Sequence, residues 1–357
     1  MGALAAISRR VRDVAGLLTQ PILPDDVLGT INPLWSRSEP HARVVELRRE
    51  TPDTTTLVLR PGRRRPRHVP GQFVGIGLQI DGVWHWRTYS ITSRPDDPHL
   101  AVTVTAVPGG LVSGRLAHAT PVGTLVRIGP PSGEFVLPDP PPEKLLMVGA
   151  GSGITPIMGI VRDLAARRPE LLDGAVLVHA DRTERDLIFG AELRRISAAT
   201  GMRLVPWLSA RAGRLSAEAL TDAVPDWAAR LTYACGPAGL LDTLTELWER
   251  SGDPESLRIE RFVPPPVSAE GVPGGRVRFT VSGITDEAAP GQGLMAAGEA
   301  AGALLPSGCR MGICHTCVGV LRSGAVRDLR TGDLHDTPDQ YVRTCVNGAV
   351  GDVEIEL

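Results

Sequence analysis

The chain has 357 residues, a length that at roughly 150 residues per domain suggests two or three domains. Its hydrophobic content of 42 % and charged content of 22 % exclude a chain that is disordered or membrane-embedded throughout. Basic and acidic residues nearly cancel, 38 against 40 for a net charge of −2, which removes the electrostatic case for nucleic acid as a partner.

Residues 1–18 come first. Leu4, Ile7, Val11, Val14 and Leu18 recur at three- and four-residue spacing, with Arg9, Arg10 and Arg12 between them. The pattern predicts an amphipathic helix, packed on the protein's own surface or lying at a membrane interface. No apolar run approaches the roughly 18 residues of a membrane span, and no signal-peptide run opens the chain, so a reducing cytoplasm is the expected location.

From residue 41 to 137 short period-two runs alternate with Pro and Gly turns, at 42–47, 55–59, 73–80, 86–91, 100–107 and 125–128. This predicts a small antiparallel barrel. Pro138, Pro140, Pro141 and Pro142 then form a stiff connector. Beyond it apolar runs at 145–148, 175–179 and 231–234 alternate with helical spacing at 156–168, 191–200 and 240–250, the mark of a doubly wound α/β domain. A second linker starts at Pro264, and strand patterning returns at 276–281 and 353–357.

Five cysteines occur, and four cluster near the end. Cys309, Cys314 and Cys317 have the spacing C-x4-C-x2-C, with Cys345 further on, which is the plant-type arrangement for a [2Fe–2S] cluster. Gly308 and Gly312 allow such a loop to wrap with its N–H groups toward the sulfurs. A zinc site usually pairs two Cys-x-x-Cys knuckles, and here one is present.

Three further motifs suit nucleotides. Arg87-Thr88-Tyr89-Ser90 follows Trp84 and Trp86, and combines a cation for phosphate with a ring and hydroxyls for a ring system. Gly109-Gly110-Leu111-Val112-Ser113 reads as a glycine turn opening a helix, whose free N–H groups suit a pyrophosphate. Gly149-Ala150-Gly151-Ser152-Gly153-Ile154-Thr155-Pro156 follows an apolar strand, with Thr155 as expected N-cap and Pro156 as first helical residue. It departs from G-x-G-x-x-G at Pro156 and lacks the G-K-[ST] of a P-loop. Cys235-Gly236-Pro237 opens another helix at the same carboxyl edge, where open α/β sheets bind ligands.

Taken in order, these motifs resemble the ferredoxin–NADP reductase superfamily, with a plant-type ferredoxin domain fused at the C-terminus. The run Pro21-Ile22-Leu23-Pro24-Asp25-Asp26, Asn32 to Trp35 and the loop from Gly308 to Cys314 look closest to actinobacterial NADPH oxidoreductases that feed a membrane acyl-CoA desaturase. The resemblance implies a multidomain α+β chain with an N-terminal helical extension over 1–38. An antiparallel flavin-binding β-barrel (39–138), a doubly wound α/β nucleotide-binding domain (139–262), a linker (263–275) and a β-grasp ferredoxin domain (276–357) would follow.

By the same resemblance Arg87, Thr88, Tyr89 and Ser90 hold the flavin, with Gly110, Val112 and Ser113 at its phosphates. Gly149, Gly151, Ser152, Gly153 and Thr155, with Gly236 and Pro237, face the nicotinamide nucleotide. Cys235 lies near the nicotinamide ring or is a buried inert thiol, and Phe262 covers the flavin or anchors the linker. Ser90, Thr155, Cys235 and Phe262 form the expected catalytic group, and Cys309, Cys314, Cys317 and Cys345 hold the cluster. FAD is favoured over FMN, which the phthalate dioxygenase reductase type uses. Arg182, Arg185, Ser209 and Arg211 suit a 2′-phosphate and favour NADPH, whereas Asp181 could bond a free ribose hydroxyl and favour NADH.

A nicotinamide gives two electrons as hydride and a cluster takes one at a time, so a flavin between them is expected to convert one into the other. No oxygenase, haem or di-iron signature appears, so the acceptor is expected to be a separate protein. The reductase itself is expected to be a monomer. Alternatives are the reductase component of a soluble Rieske or di-iron oxygenase or demethylase, and a non-enzymatic metal-binding interaction protein.

Overall fold

A computed structural model of the chain describes residues 31–36, 40–62, 66–80, 83–251, 253–262, 271–308, 312 and 316–357. The helix expected at 1–18, most of the expected linker, Cys309 and Cys314 lie outside the described residues.

Six strands build the first sheet: β1 (His41–Thr51), β2 (Thr54–Pro61), β3 (Phe73–Ile80), β4 (Val83–Ser90), β5 (Leu100–Thr105) and β6 (Leu125–Ile128). They run antiparallel in the order β4-β3-β6-β1-β2-β5. An antiparallel bridge between Ile91 and Val102 joins the two edges, so the sheet closes on itself as a barrel. Alternate residues such as Val74, Ile76, Leu57, Leu59, Val102 and Val104 fill its interior. Helix α1 (Leu111–His118) plugs one end through Val112, Leu116 and Ala117, and Thr55 Oγ1 donates to Ala117 O at 2.8 Å.

The second sheet is parallel throughout, in the order β11-β10-β7-β8-β9. Its strands are β7 (Leu145–Ala150), β8 (Val176–Asp181), β9 (Arg203–Leu208), β10 (Leu231–Cys235) and β11 (Leu257–Glu260). Period two assigns the faces. Leu145, Met147, Leu177 and Tyr233 point to the core under α2 (Ile154–Arg167) and α3 (Gly190–Thr200). Leu146, Val148, Val178 and Ala234 point to the opposite core, under α5 (Ala217–Ala223) and α6 (Ala238–Ser251). A short helix α4 (Ser209–Ala212) follows β9. The order reverses between β7 and β10, so a crevice opens at their carboxyl ends.

The last unit has β12 (Gly275–Phe279), β13 (Thr285–Ala288), β14 (Val318–Ser323), β17 (Gln340–Arg343) and β19 (Val353–Glu356) in the order β13-β12-β19-β14-β17. Helix α7 (Leu294–Ala300) packs on this sheet through Leu294 and Ala297. A small sheet of β16 (Leu334–His335), β15 (Val326–Asp328) and β18 (Asn347–Ala349) lies beside it. Gly275 opens β12 and Gly274 bridges to Val350, so this sheet reaches back into the segment expected as linker.

Some boundaries differ from the sequence expectation. The run 100–107 ends as a strand at Thr105, because the chain must leave the barrel for the Gly109 turn. Helix α2 starts at Ile154 with Gly153 as its N-cap, after a tight turn over Gly151–Gly153. Thr155 is therefore inside the helix and does not cap it; its hydroxyl donates back to Ser152 O at 2.9 Å. Strand β11 carried no period-two run long enough to be read.

Candidate functional site

Strand β4 carries the first group of candidates along the barrel edge. Arg87 Nη1 donates to Trp86 O at 2.7 Å and to Gly308 O, at the start of the cysteine loop, at 3.3 Å. Tyr89 packs against the barrel core, and burial raises its phenol above the ordinary range, so it stays a neutral hydrogen-bonding group. Thr88 is half-buried beside them, and Ser90 is buried and pairs with Phe73.

At the other side of the barrel mouth, Gly109 takes φ +72° with open space where a side chain would stand. Gly110 precedes α1, and a Cβ there would lie 2.4 Å from Ser113 Oγ. No side chain caps α1, so its first-turn N–H groups face outward, with Val112 anchoring the turn in the core. A cavity of about 680 Å³ adjoins this turn, lined by Val107, Gly109, Gly110, Leu111 and His118 of the barrel and Arg182 of the α/β domain. An open anion cradle beside a cavity of that size fits the pyrophosphate of a flavin dinucleotide.

The nucleotide turns meet at the switch point. Gly149 lies in β7 in register with Cys235 and His179, Gly151 takes φ +55° and Ser152 is half-buried. At Gly153 a Cβ would sit 2.1 Å from Cys235 O, and at Gly236 one would sit 2.9 Å from Ala150 Cβ. Only hydrogen side chains let the two turns approach this closely. Pro237 is exposed, and its carbonyl accepts the N–H of Leu240 and Leu241 at the start of α6. Arg182, Ser209 and Arg211 come together through a bond from Ala210 N to Arg182 O at 3.0 Å. Asp181 accepts the N–H of Arg182 at 2.7 Å, while burial pushes its carboxyl above the ordinary value.

Cys235 is fully buried in the core shared with α2, and burial, with the charge of Glu260 second, pushes its thiol well above the ordinary value. Its thiol is accordingly a neutral packing group. Glu260 stands opposite it in register on β11, and burial pushes that carboxyl up to about 7. Phe262, two residues on, is 37 % exposed. Sequence reasoning passed over Glu260, whose only signal was its place two residues before Phe262.

In the last unit Cys317 Sγ and Cys345 Sγ converge to 3.1 Å without a disulfide. Two thiols brought together from distant segments fit the thiolate set of a [2Fe–2S] cluster. The segments on either side of this pair are braced by groups that spacing did not reveal. Arg343 Nη1 donates to Gly312 O at 2.7 Å, and Arg330 pairs with Asp328 at 2.7 Å. Burial raises the Asp328 carboxyl, but the Arg330 bonds outweigh it and hold it below its ordinary value.

Three families account for the three units. Residues 41–137 match the oxidoreductase FAD-binding domain, 147–246 the oxidoreductase NAD-binding domain and 279–347 the 2Fe-2S iron-sulfur cluster binding domain. The chain is 44 % identical over 353 residues to an NADPH oxidoreductase of Mycobacterium tuberculosis, covering 97 % of this chain and 92 % of that one. It is 33 % identical over 285 residues to the ferredoxin reductase component of a 3-ketosteroid-9-alpha-monooxygenase of the same organism, covering 74 % and 77 %. Phthalate dioxygenase reductase has the same fold, with a TM-score of 0.61 at 21 % identity over 89 % of this chain and 97 % of that one. The chain therefore belongs to the ferredoxin–NADP reductase superfamily, in the group whose flavoproteins join FAD-binding and NAD-binding domains to a C-terminal [2Fe–2S] ferredoxin domain.

Proposed function

We propose that this NAD(P)H–FAD–[2Fe–2S] electron-transfer reductase uses NADPH and delivers electrons to a membrane fatty acyl-CoA desaturase. The observation that carries the internal order is the bond from Arg87 to Gly308, which joins the strand read as flavin-binding to the residue before Cys309. When bound, FAD supplies a two-electron acceptor for the nicotinamide hydride and a one-electron donor for the cluster.

The chain's own groups bind and orient. The N–H groups of the Gly151–Gly153 turn hold the nucleotide pyrophosphate, and Thr155, tied to Ser152 O, keeps that turn in one conformation. Cys235, buried and neutral, would back the nicotinamide side of the crevice from within the core, and Phe262 would cover the flavin. Arg182, Ser209 and Arg211 supply cations and a hydroxyl for a 2′-phosphate, which is the basis for choosing NADPH. The name of the 44 % identical relative supports the same choice. Cys309, Cys314, Cys317 and Cys345 hold the cluster.

The desaturase acceptor rests on the resemblance of the N-terminal run and the cysteine loop, with the amphipathic pattern at 1–18 as a means of meeting a membrane surface at its cytoplasmic side. Among the described residues no helix is long and apolar enough to cross a membrane. A second reading, a reductase for a soluble oxygenase component, is favoured by the monooxygenase relative. Purified protein with membranes carrying a desaturase and an acyl-CoA should give NADPH-dependent desaturation. Reduction of a soluble oxygenase component in its place, with none in membranes, would overturn the desaturase assignment.

A further inference from the structure

Helix α2 connects both reacting sides. Its first residue, Ile154, follows the glycine turn assigned to the nicotinamide nucleotide, and its middle lies on the barrel where β4 ends. At Gly159 the two backbones are in contact: a Cβ there would stand 2.6 Å from Ile91 O and 3.5 Å from Gly71 N. One turn later Arg162 Nη1 donates to Thr92 O at 2.6 Å. Ile91 and Thr92 directly continue the chain from Ser90, the last residue of the strand assigned to the flavin.

Arg162 is held from every side. Its Nε and Nη2 form a bidentate pair with Glu192 of α3, at 2.8 and 2.7 Å, and its guanidinium lies over the Phe189 ring at 4.9 Å from the centroid. Phe189 itself is buried and takes a left-handed φ of 60°, a conformation that a bulky residue adopts only where its surroundings enforce it. Arg162 is 15 % exposed and walls one side of an interdomain cavity of about 560 Å³, so the helix has room to shift if the clamp is released.

We propose that Arg162 is a positioning residue for hydride transfer: by bonding α2 to Thr92 and α3 at once, it sets the distance between the nicotinamide turn and the flavin strand. The lever is short. From Ile154 to Arg162 the helix rises about 12 Å, at about 1.5 Å per residue. A rotation about the Gly159 contact thus moves the turn directly. Hydride donor and acceptor must approach to about 3–3.5 Å, and an error of about 1 Å can cost about 100-fold in rate. The proposal rests on the reading that NADPH reduces the flavin.

The test is anaerobic stopped-flow reduction of the flavin by NADPH and by NADPH deuterated at the transferred position. For R162M the limiting rate should fall at least tenfold, with flavin content retained, the NADPH dissociation constant within twofold of wild type and the isotope effect larger. R162K, which can still bond to Thr92, should recover part of the rate. E192Q, a milder change suited to measurement if R162M does not fold, should lower the limiting rate about threefold, at the loss of one charged partner. Unchanged limiting rates in R162M or E192Q, or losses confined to NADPH affinity, would overturn the clamp. A wild-type flavin that NADPH does not reduce would overturn the functional reading and the clamp together, so the two failures are distinguishable.

Discussion

The barrel meets its two neighbours in different ways. Against the α/β domain a close backbone approach is reinforced by several side-chain bonds. A Cβ at Gly159 would lie 2.6 Å from Ile91 O, Arg162 Nη1 donates to Thr92 O at 2.6 Å, and Tyr233 donates to Val136 O at 2.6 Å. Against the ferredoxin domain the described bond runs from a side chain, Arg87, to the Gly308 carbonyl. The difference follows the chemistry on each side. A hydride is transferred only at contact and in one orientation, whereas a single electron crosses a gap without an atom moving. Among the described residues the denser set of contacts lies at the interface where geometry would decide the rate.

This contrast can be broken from either side. Replacing Cys345 with Ser removes a thiol of the converging pair, and should abolish NADPH-dependent reduction of cytochrome c while ferricyanide reduction by the flavin continues. Loss of both activities with flavin still bound would show that the two interfaces are not separable. Replacing Gly153 with Ala drives a Cβ into Cys235 O, which it would meet at 2.1 Å. Flavin reduction by NADPH should then fall about 100-fold, with a stability loss of about 1–3 kcal/mol; stopped-flow rates and thermal unfolding report the two. A smaller effect is expected at the nucleotide's far end. Arg211→Ala should raise KM for NADPH about tenfold, as loss of a charged hydrogen bond does, and leave KM for NADH unchanged. Equal changes for both nucleotides in steady-state assays would remove Arg211 from the 2′-phosphate.

A separate expectation concerns the pH dependence of stability. Burial puts the Glu260 carboxyl at about 7 in the folded chain, against an ordinary 4.5. Between these values the folded state keeps a proton that the unfolded chain has released, so stability falls as pH rises from 4.5 to 7 and stays reduced above. Glu260→Gln should therefore raise the unfolding temperature at pH 8, by several degrees for a gain of about 3 kcal/mol, and leave it unchanged at pH 4. Equal shifts at both pH values would show that the carboxyl titrates normally.

Much of this was legible in the chain. Strands at 73–80 and 125–128 match β3 and β6 to the residue, because a half-buried strand writes its two faces as alternation. The cysteine spacing and the glycine turns were legible for a similar reason: a short loop that holds a cluster or a phosphate needs particular residue types within a few positions. Thr155 shows the limit. Its residue type fits an N-cap, but the turn over Gly151–Gly153 supplies the cap from an unexpected residue and buries the threonine.

The sequence by itself determined three units and their order, through hydrophobic period and the local spacing of cysteines and glycines, and the resemblance those motifs carry supplied the cofactor classes. Only the tertiary structure decided which turns share one crevice, because β7 and β10 are adjacent through a strand order that no local pattern encodes. It alone brought Glu260 beside Cys235, Arg162 onto Thr92 and Arg343 onto Gly312. These pairs join residues far apart in the chain, and the energy that selects them comes from burial and hydrogen bonding that exist only once the domains have packed.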